Sequence, residues 1–226
     1  YKANADATLK LSKRWSTSLL VHYENETKAH DGNDDGFVDI PQVEQYNVWN
    51  RWAYMGDHYV FQAGIKALSE TRTSGQVNHG GTMHSGDLYK VGIDTERYEF
   101  FTKNAYIFNK EKNTNLALIL STTLHNQDAT YGRKLYNVDQ TNVYASLMFE
   151  TEFNPQNSFS AGLSFNYDAY DQHYRLENTT DNPLKAFEKE AVPGAYVQYT
   201  LNLNDKWMVM AGLRGDYSNE HGFFVT

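Results

Sequence analysis

An all-β fold is what this sequence predicts: an antiparallel transmembrane β-barrel, of which about ten strands lie within residues 1–226. Three observations carry that prediction. Side chains alternate between an apolar, aromatic face and a polar, small one; connections alternate between short and long; and aromatic residues gather at strand ends. The first is the period of two of a β-strand. The other two are what a barrel in an outer membrane requires, with tight periplasmic turns, long outer loops and aromatic girdles.

The reading places strands, in order, at residues 5–12, 16–26, 44–54, 58–70, 96–108, 115–124, 142–153, 158–170, 193–202 and 207–218. Short connections fall at 13–15, 56–57, 109–114, 154–157 and 203–206; long ones fall at 27–43, 71–95, 125–141, 171–192 and from Asn219 onward. A soluble β-sandwich, the competing reading, has no reason to sort its loops by length. The faces agree with the loops. Val143, Ala145, Leu147 and Phe149 alternate with Tyr144, Ser146, Met148 and Glu150; Phe159, Ala161, Leu163, Phe165 and Tyr167 alternate with Ser160, Gly162, Ser164, Asn166 and Asp168. Ala195, Val197, Tyr199 and Leu201, then Val209, Ala211, Leu213 and Tyr217, oppose Gln198, Thr200, Arg214 and Asp216. A charge on the lipid side is costly, so Glu150, Glu152 and Asp168 belong in the lumen and fix the register.

Composition narrows the class further. No run of about 18 apolar residues occurs, so no helical span is expected. A mean hydropathy of −0.67 suits a barrel as well as a soluble protein, because every second residue faces the lumen. Tyrosine, at 17 residues, is heavily used, as suits the boundary between apolar and wet surroundings. Cysteine is absent, which removes disulfides, thiolate metal sites and cysteine nucleophiles. The net charge of −8, with Lys and Arg scattered, argues against a nucleic-acid partner. No signal peptide is visible at Tyr1, so an exported chain is expected here as a mature form or an internal piece.

Several stretches together resemble a known family. These are Glu190–Tyr196 (E-A-V-P-G-A-Y), Trp207–Tyr217 (W-M-V-M-A-G-L-R-G-D-Y), Gly222–Thr226 (G-F-F-V-T), Tyr131-Gly132 and Gln45-Tyr46-Asn47. They resemble the barrel of TonB-dependent outer-membrane receptors, especially the Bacteroidetes group related to cobalamin receptors. The resemblance implies one barrel of about 22 strands with an N-terminal plug, of which residues 1–226 are a part without the plug. Ten strands alone would leave two unpaired edges, which no membrane barrel tolerates. It further implies TonB-driven uptake of a scarce, large solute, with cobalamin first and haem or a ferric siderophore next. Implied partners are the TonB complex acting through the plug, a surface lipoprotein lid, the outer-membrane lipid and the solute. Glu150, Asp168, Arg214 and Asp216 would face the lumen and hold the plug.

The sharpest local motif is Asp31-Gly32-Asn33-Asp34-Asp35-Gly36-Phe37-Val38-Asp39, which matches the D-x-N-x-D-G opening of a calcium loop. Asp31, Asn33, Asp35, Asp39 and the Phe37 carbonyl are candidate calcium ligands, since the ion takes six to eight hard oxygens. The twelfth position holds Gln42 instead of a bidentate Glu, with Glu44 nearby, and a solvated acidic loop is the alternative. The resemblance independently implies calcium-ordered outer loops.

His79 and His84 lie in a Gly-rich stretch and are candidate ligands for haem iron or a transition metal. Tyr131, His173 and Tyr174, with Asp128, are placed in long loops where they could contact a solute. No nucleophile elbow, metalloprotease helix, P-loop or dinucleotide fingerprint occurs, and the protein is not expected to be an enzyme. The enzymatic alternative is a ten-strand outer-membrane protease, which needs His30, Asp34, His125 and Asp128 to converge at the rim. An adhesin or passive porin is the third class.

Overall fold

The computed structural model describes residues 1–77, 88–176, 182–204 and 206–226. They form one antiparallel sheet in strict sequence order: β1 (Lys2–Lys10), β2 (Trp15–Glu26), β3 (Gln42–Met55), β4 (Tyr59–Gly75), β5 (Lys90–Asn109), β6 (Thr114–Tyr131), β7 (Lys134–Asn154), β8 (Asn157–Arg175), β9 (Leu184–Asn204), β10 (Trp207–Ser218) and β11 (Gly222–Val225). No helix is present among the described residues. Each strand pairs only with its chain neighbours, the meander of an up-and-down barrel wall.

The described residues form eleven strands where about ten were expected. Gly222–Val225, read as a loop, returns along β10, with Asp216 opposite Phe224. A larger correction concerns the outer connections. Residues 125–141 are not a long loop: β6 and β7 run on to Tyr131 and from Lys134, and Gly132, at φ 64°, helps close a tight turn. β8 likewise reaches Arg175 and β9 begins at Leu184, so Tyr131, His173 and Tyr174 are strand residues, as is Asp128.

Side-chain oxygens build the short turns. The Ser12 hydroxyl accepts from the amides of Arg14 and Trp15, Asn109 Oδ1 from those of Glu111 and Lys112, and Asn154 Oδ1 from that of Gln156. These are local side-chain turns that settle amides the ladder leaves over. Register shifts occur next to two of these turns, at Ile107/Asn109 and Glu152/Asn154, and beside the β9–β10 turn at Trp207/Met208, where an irregularity re-aims the chain without disturbing the span.

The sheet has almost no interior of its own. Among the described residues the buried hydrophobic side chains are Ala129 and Val138, while Ile65, Leu163 and Leu213 are each about 60 % exposed. An apolar face this extensive needs a nonaqueous neighbour. Its aromatic residues mark where that neighbour begins and ends. Trp15 and Tyr23, Tyr54 and Tyr46, Tyr106 and Tyr98, and Phe159 and Tyr167 each stand about eight residues apart on the outward face. That is roughly 26 Å along a strand. A tilt of about 40° reduces it to roughly 20 Å, near the height of a barrel's apolar band. Rings pair at both levels: Trp15 with Tyr54 at 5.0 Å below, Tyr23 with Tyr46 at 5.0 Å above.

Polar side chains within the band close on themselves. Asn50 donates to Thr17 Oγ1 (3.2 Å) and the Ser18 carbonyl (3.1 Å) and accepts from the Trp52 indole (2.7 Å). Thr17 and Thr122 donate to the carbonyls of Arg51 and Asn142. In hydrocarbon an unmet polar group costs several kcal/mol, so these local bonds are what permit Asn and Thr on that face.

Candidate functional site

The inner face is the chemically varied one. Alternation along β7–β10 puts Glu150, Asp168, Arg214 and Asp216 on it together, but in three places. Arg214 lies beside Asp216, donating Nε to Oδ2 at 2.7 Å and Nη2 to Oδ1 at 2.5 Å, and Nη2 also reaches Ser164 Oγ at 2.9 Å. Asp216 retains only 5 % of its exposure. Gly194, directly across the ladder, permits this burial: a Cβ there would sit 2.0 Å from Asp216 Oδ1. Gly162 likewise lies beneath the Tyr196 ring and Gly64 beneath Phe101, cross-strand pairs in which a ring covers a bare backbone.

Asp168 is the hub of a second cluster. It accepts from Asn142 (2.9 Å) and Gln140 (3.4 Å) at Oδ1 and from Asn166 (2.7 Å) at Oδ2, and Gln140 also donates to the Tyr170 hydroxyl (2.9 Å). Glu190, opposite Asp168 on β9, accepts from Ser218 at 2.6 Å. A cavity of about 540 Å³ opens here, lined by Asp168, Tyr170, Glu188, Glu190 and His221 among others. Glu150 stands apart, exposed, toward the short-turn end, where it borders a cavity of about 190 Å³ with Glu152 and Gln198.

The β1–β5 wall carries a further polar patch that sequence reasoning missed. A cavity of about 570 Å³ lies over Asn4, His22, Trp49, Lys66, Glu99 and Phe101. Glu99 meets both Arg97 (2.5 Å) and Lys66 (3.5 Å), His22 Nδ1 is 2.6 Å from Asn4 Oδ1, and the Arg51 guanidinium stacks 5.5 Å from the centre of Trp49. Parity supplies the signal: Arg97 and Glu99 share one face of β5, and cross-strand pairing carries that face to Lys66 and Trp49.

At the outer end, the acidic loop is turned by Asp34 (φ 57°) and Gly36 (φ 82°). Its side chains fold onto its own amides: Asp31 accepts from Asp35 and Gly36, Asn33 from Asp35, Asp35 from Phe37, and Asp39 from Gly32. Among the described residues no three His, Asp or Glu side chains are gathered as a metal would need. The donors are the hard oxygens calcium takes, so a calcium shell here would have to include Asn33 and the Phe37 carbonyl beside the carboxylates. The loop is also fastened to its neighbour. Val38 N donates to Gly75 O and Val77 N to Gly36 O, both at 2.9 Å, with Phe37 bridged to Gln76.

The remaining candidates separate. His79 and His84 lie outside the described residues. Tyr131 faces inward at the end of β6; Tyr174 faces inward and His173 outward, 3.5 Å from Asp171. The residues weighed for a protease do not converge: His125 and Asp128, an odd number of positions apart in β6, face opposite sides of the sheet, and His30 is held in the bridge to Ile40.

A sheet with a girdled apolar outer face and an ionic, cavity-bearing inner face is the wall of an outer-membrane barrel. The chain belongs to the outer membrane protein beta-barrel family, whose model matches residues 92–226, and its place is the outer membrane. Among solved structures it is similar to the alcaligin outer membrane receptor FauA from Bordetella pertussis, with 14 % identity and a TM-score of 0.68. The match covers 95 % of this chain and 33 % of that one, so the chain spans about a third of the receptor's length. No curated protein sequence matches the chain.

Proposed function

We propose that these residues form part of the wall of a TonB-dependent receptor that takes up a scarce, large nutrient across the outer membrane. Cobalamin is the first choice and haem or a ferric siderophore the second. The observation that carries this reading is the inner face, where ionic and amide side chains surround cavities of about 540 and 570 Å³. Such groups can release a plug or solute and take it back, because water replaces each contact at modest net cost. The outer strands β1 and β11 are not paired with each other, which supports a barrel closed by further strands. The similarity to a receptor for alcaligin keeps the siderophore reading beside cobalamin.

In this scheme the extended β4–β9 hairpins and the acidic loop form the capture rim, with a surface lipoprotein as lid. Periplasmic TonB pulls on a plug held against Asp168, Arg214, Asp216 and Glu150. Calcium, held by Asp31, Asn33, Asp35, Asp39 and the Phe37 carbonyl, would stiffen that rim. The experiment is uptake of labelled cobalamin, haem and a ferric siderophore by cells expressing the full-length parent, with and without TonB. TonB-dependent cobalamin uptake is expected. Dependence seen only for haem or a siderophore replaces the solute; TonB-independent leakage, or no uptake of any of the three, overturns the transport reading.

A further inference from the structure

The outward face carries one feature that the transport reading does not use. On β3–β6 a trough of about 340 Å³ opens toward the lipid, lined by Val48, Ile65, Ala67, Tyr98, Phe100 and Leu124. Cross-strand register explains it. Val48, Ala67, Tyr98 and Leu124 form one row, and the small Ala67 leaves a dip between larger neighbours. Above Ala67, β4 continues outward with Ser69 and Thr71, so the dip extends as a lane of small side chains past the upper girdle at Tyr46 and Tyr98.

The lane ends among carboxylates. The next row reads Tyr46, Ser69, Glu96, Asn126, Asp139, Asp171, and the one beyond it Glu44, Thr71, Asp94, Asp128, Asn137, His173. Across β3–β8 neither row holds a Lys or Arg; the second meets its first cation at Lys185 on β9, beyond His173 and three strands from Asp128. Asp94 stands directly opposite Asp128, and Asp139 opposite Asp171, arrangements that like-charge repulsion disfavours. Thr71 donates to Asp94 at 2.7 Å and Asn126 to Asp139 at 2.6 Å, which settles hydrogen bonds but leaves the charge uncompensated.

We propose that this trough holds an acyl chain of an outer-leaflet lipid with an amine-bearing headgroup, its ammonium seated against Glu96, Asp94 and Asp128. The trough is continuous with the lipid-facing band, which supplies the chain. The acidic rim one to two pleats above it has the charge that recognises a cationic group and rejects a bare phosphate. An ammonium there relieves the Asp94–Asp128 repulsion while its chain fills the dip over Ala67.

The test uses the full-length parent in nanodiscs of equimolar phosphatidylethanolamine and phosphatidylglycerol with matched chains, reading retained lipid by native mass spectrometry. Phosphatidylethanolamine should be retained over phosphatidylglycerol by about fivefold, the order of one headgroup charge contact. The E96Q/D94N/D128N variant should bring the two lipids to parity, and A67W, which fills the dip, should lower retention of both. Equal retention by the unaltered protein overturns the proposal. So does preferential retention of phosphatidylglycerol that chelation of divalent cations abolishes, because the carboxylates would then act through a bridging metal. Heat-modifiable migration on gels confirms that each variant is folded, and the unaltered protein alone can refute the lipid choice.

Discussion

Removing either partner of the Arg214–Asp216 contact should cost unequal amounts, because the two groups are buried unequally. The Asp216 side chain keeps 6 % of its exposure and that of Arg214 42 %. Arg214→Ala leaves a buried carboxylate packed against the bare backbone of Gly194, without its guanidinium partner. Breaking a fully buried pair from one side costs about 3–5 kcal/mol. The open side of Arg214 lowers that, and we expect about 2–3 kcal/mol for Arg214→Ala, between the buried and the surface limits. Asp216→Asn keeps the shape and one acceptor while water solvates the freed guanidinium, so it should cost about 1 kcal/mol or less. The assay is urea unfolding of the full-length protein in lipid vesicles, followed by tryptophan fluorescence, with lumen access checked by proteolysis. Equal costs, or a larger one for Asp216→Asn, would refute the claim that the buried carboxylate decides the energetics of this pair.

Gly162→Ala should destabilise by about 1–3 kcal/mol, as overpacking does, since its Cβ would meet the Tyr196 ring at 2.3 Å and the Leu147 carbonyl at 2.9 Å. Gly212→Ala, where the nearest atom is 3.4 Å away, should stay within about 0.5 kcal/mol in the same unfolding assay. Leu163→Arg on the lipid face should cost about 2–4 kcal/mol, while Gln198→Arg on the inner face should leave folding yield near that of the parent protein; a reversed order would mean that the faces are assigned the wrong way round. If calcium completes the acidic loop, millimolar calcium should slow amide exchange at residues 31–39 and at Gly75–Val77 together, and Asp31→Ala with Asp35→Ala should abolish both effects.

Much of this wall was legible because lipid enforces contrast between its faces. From Val143 to Phe149 and from Phe159 to Tyr167 every second residue is apolar, so both strands and their register could be read directly. The same contrast disappears above the membrane. Asn126, Gln127, Asp128, Asn137, Asp139 and Gln140 are polar on both faces, which reads as loop, yet the ladder continues because paired backbone groups need no apolar neighbour. The turn that ends it rests on Gly132 alone, a weak signal without the strands around it. The inner site was legible only in part for a related reason. Asp168, Arg214 and Asp216 stand out within apolar-alternating strands, whereas Gln140, Glu188 and Glu190 lie where alternation gives no contrast, and register alone brings them to Asp168.

The two faces differ in how many of their polar groups are left with spare hydrogen-bonding capacity. On the lipid face Asn50, Thr17 and Thr122 use their hydrogen bonds locally, to backbone carbonyls or to one another, as a group beyond the reach of water must. On the inner face Glu150 stays exposed, and Glu188 and Glu190 border an open cavity, so capacity remains for an incoming partner. The outer loop belongs to the same logic. Its Asp residues are turned onto its own amides, and the Val38–Gly75 and Val77–Gly36 bonds fasten it to the end of β4. A ligand that drew those carboxylates off the amides would therefore change the footing of the β4–β5 arm as well as the loop. Under the proposed transport reading, capture at the rim would thereby be coupled to the wall whose inner face holds Lys66, Arg97 and Glu99.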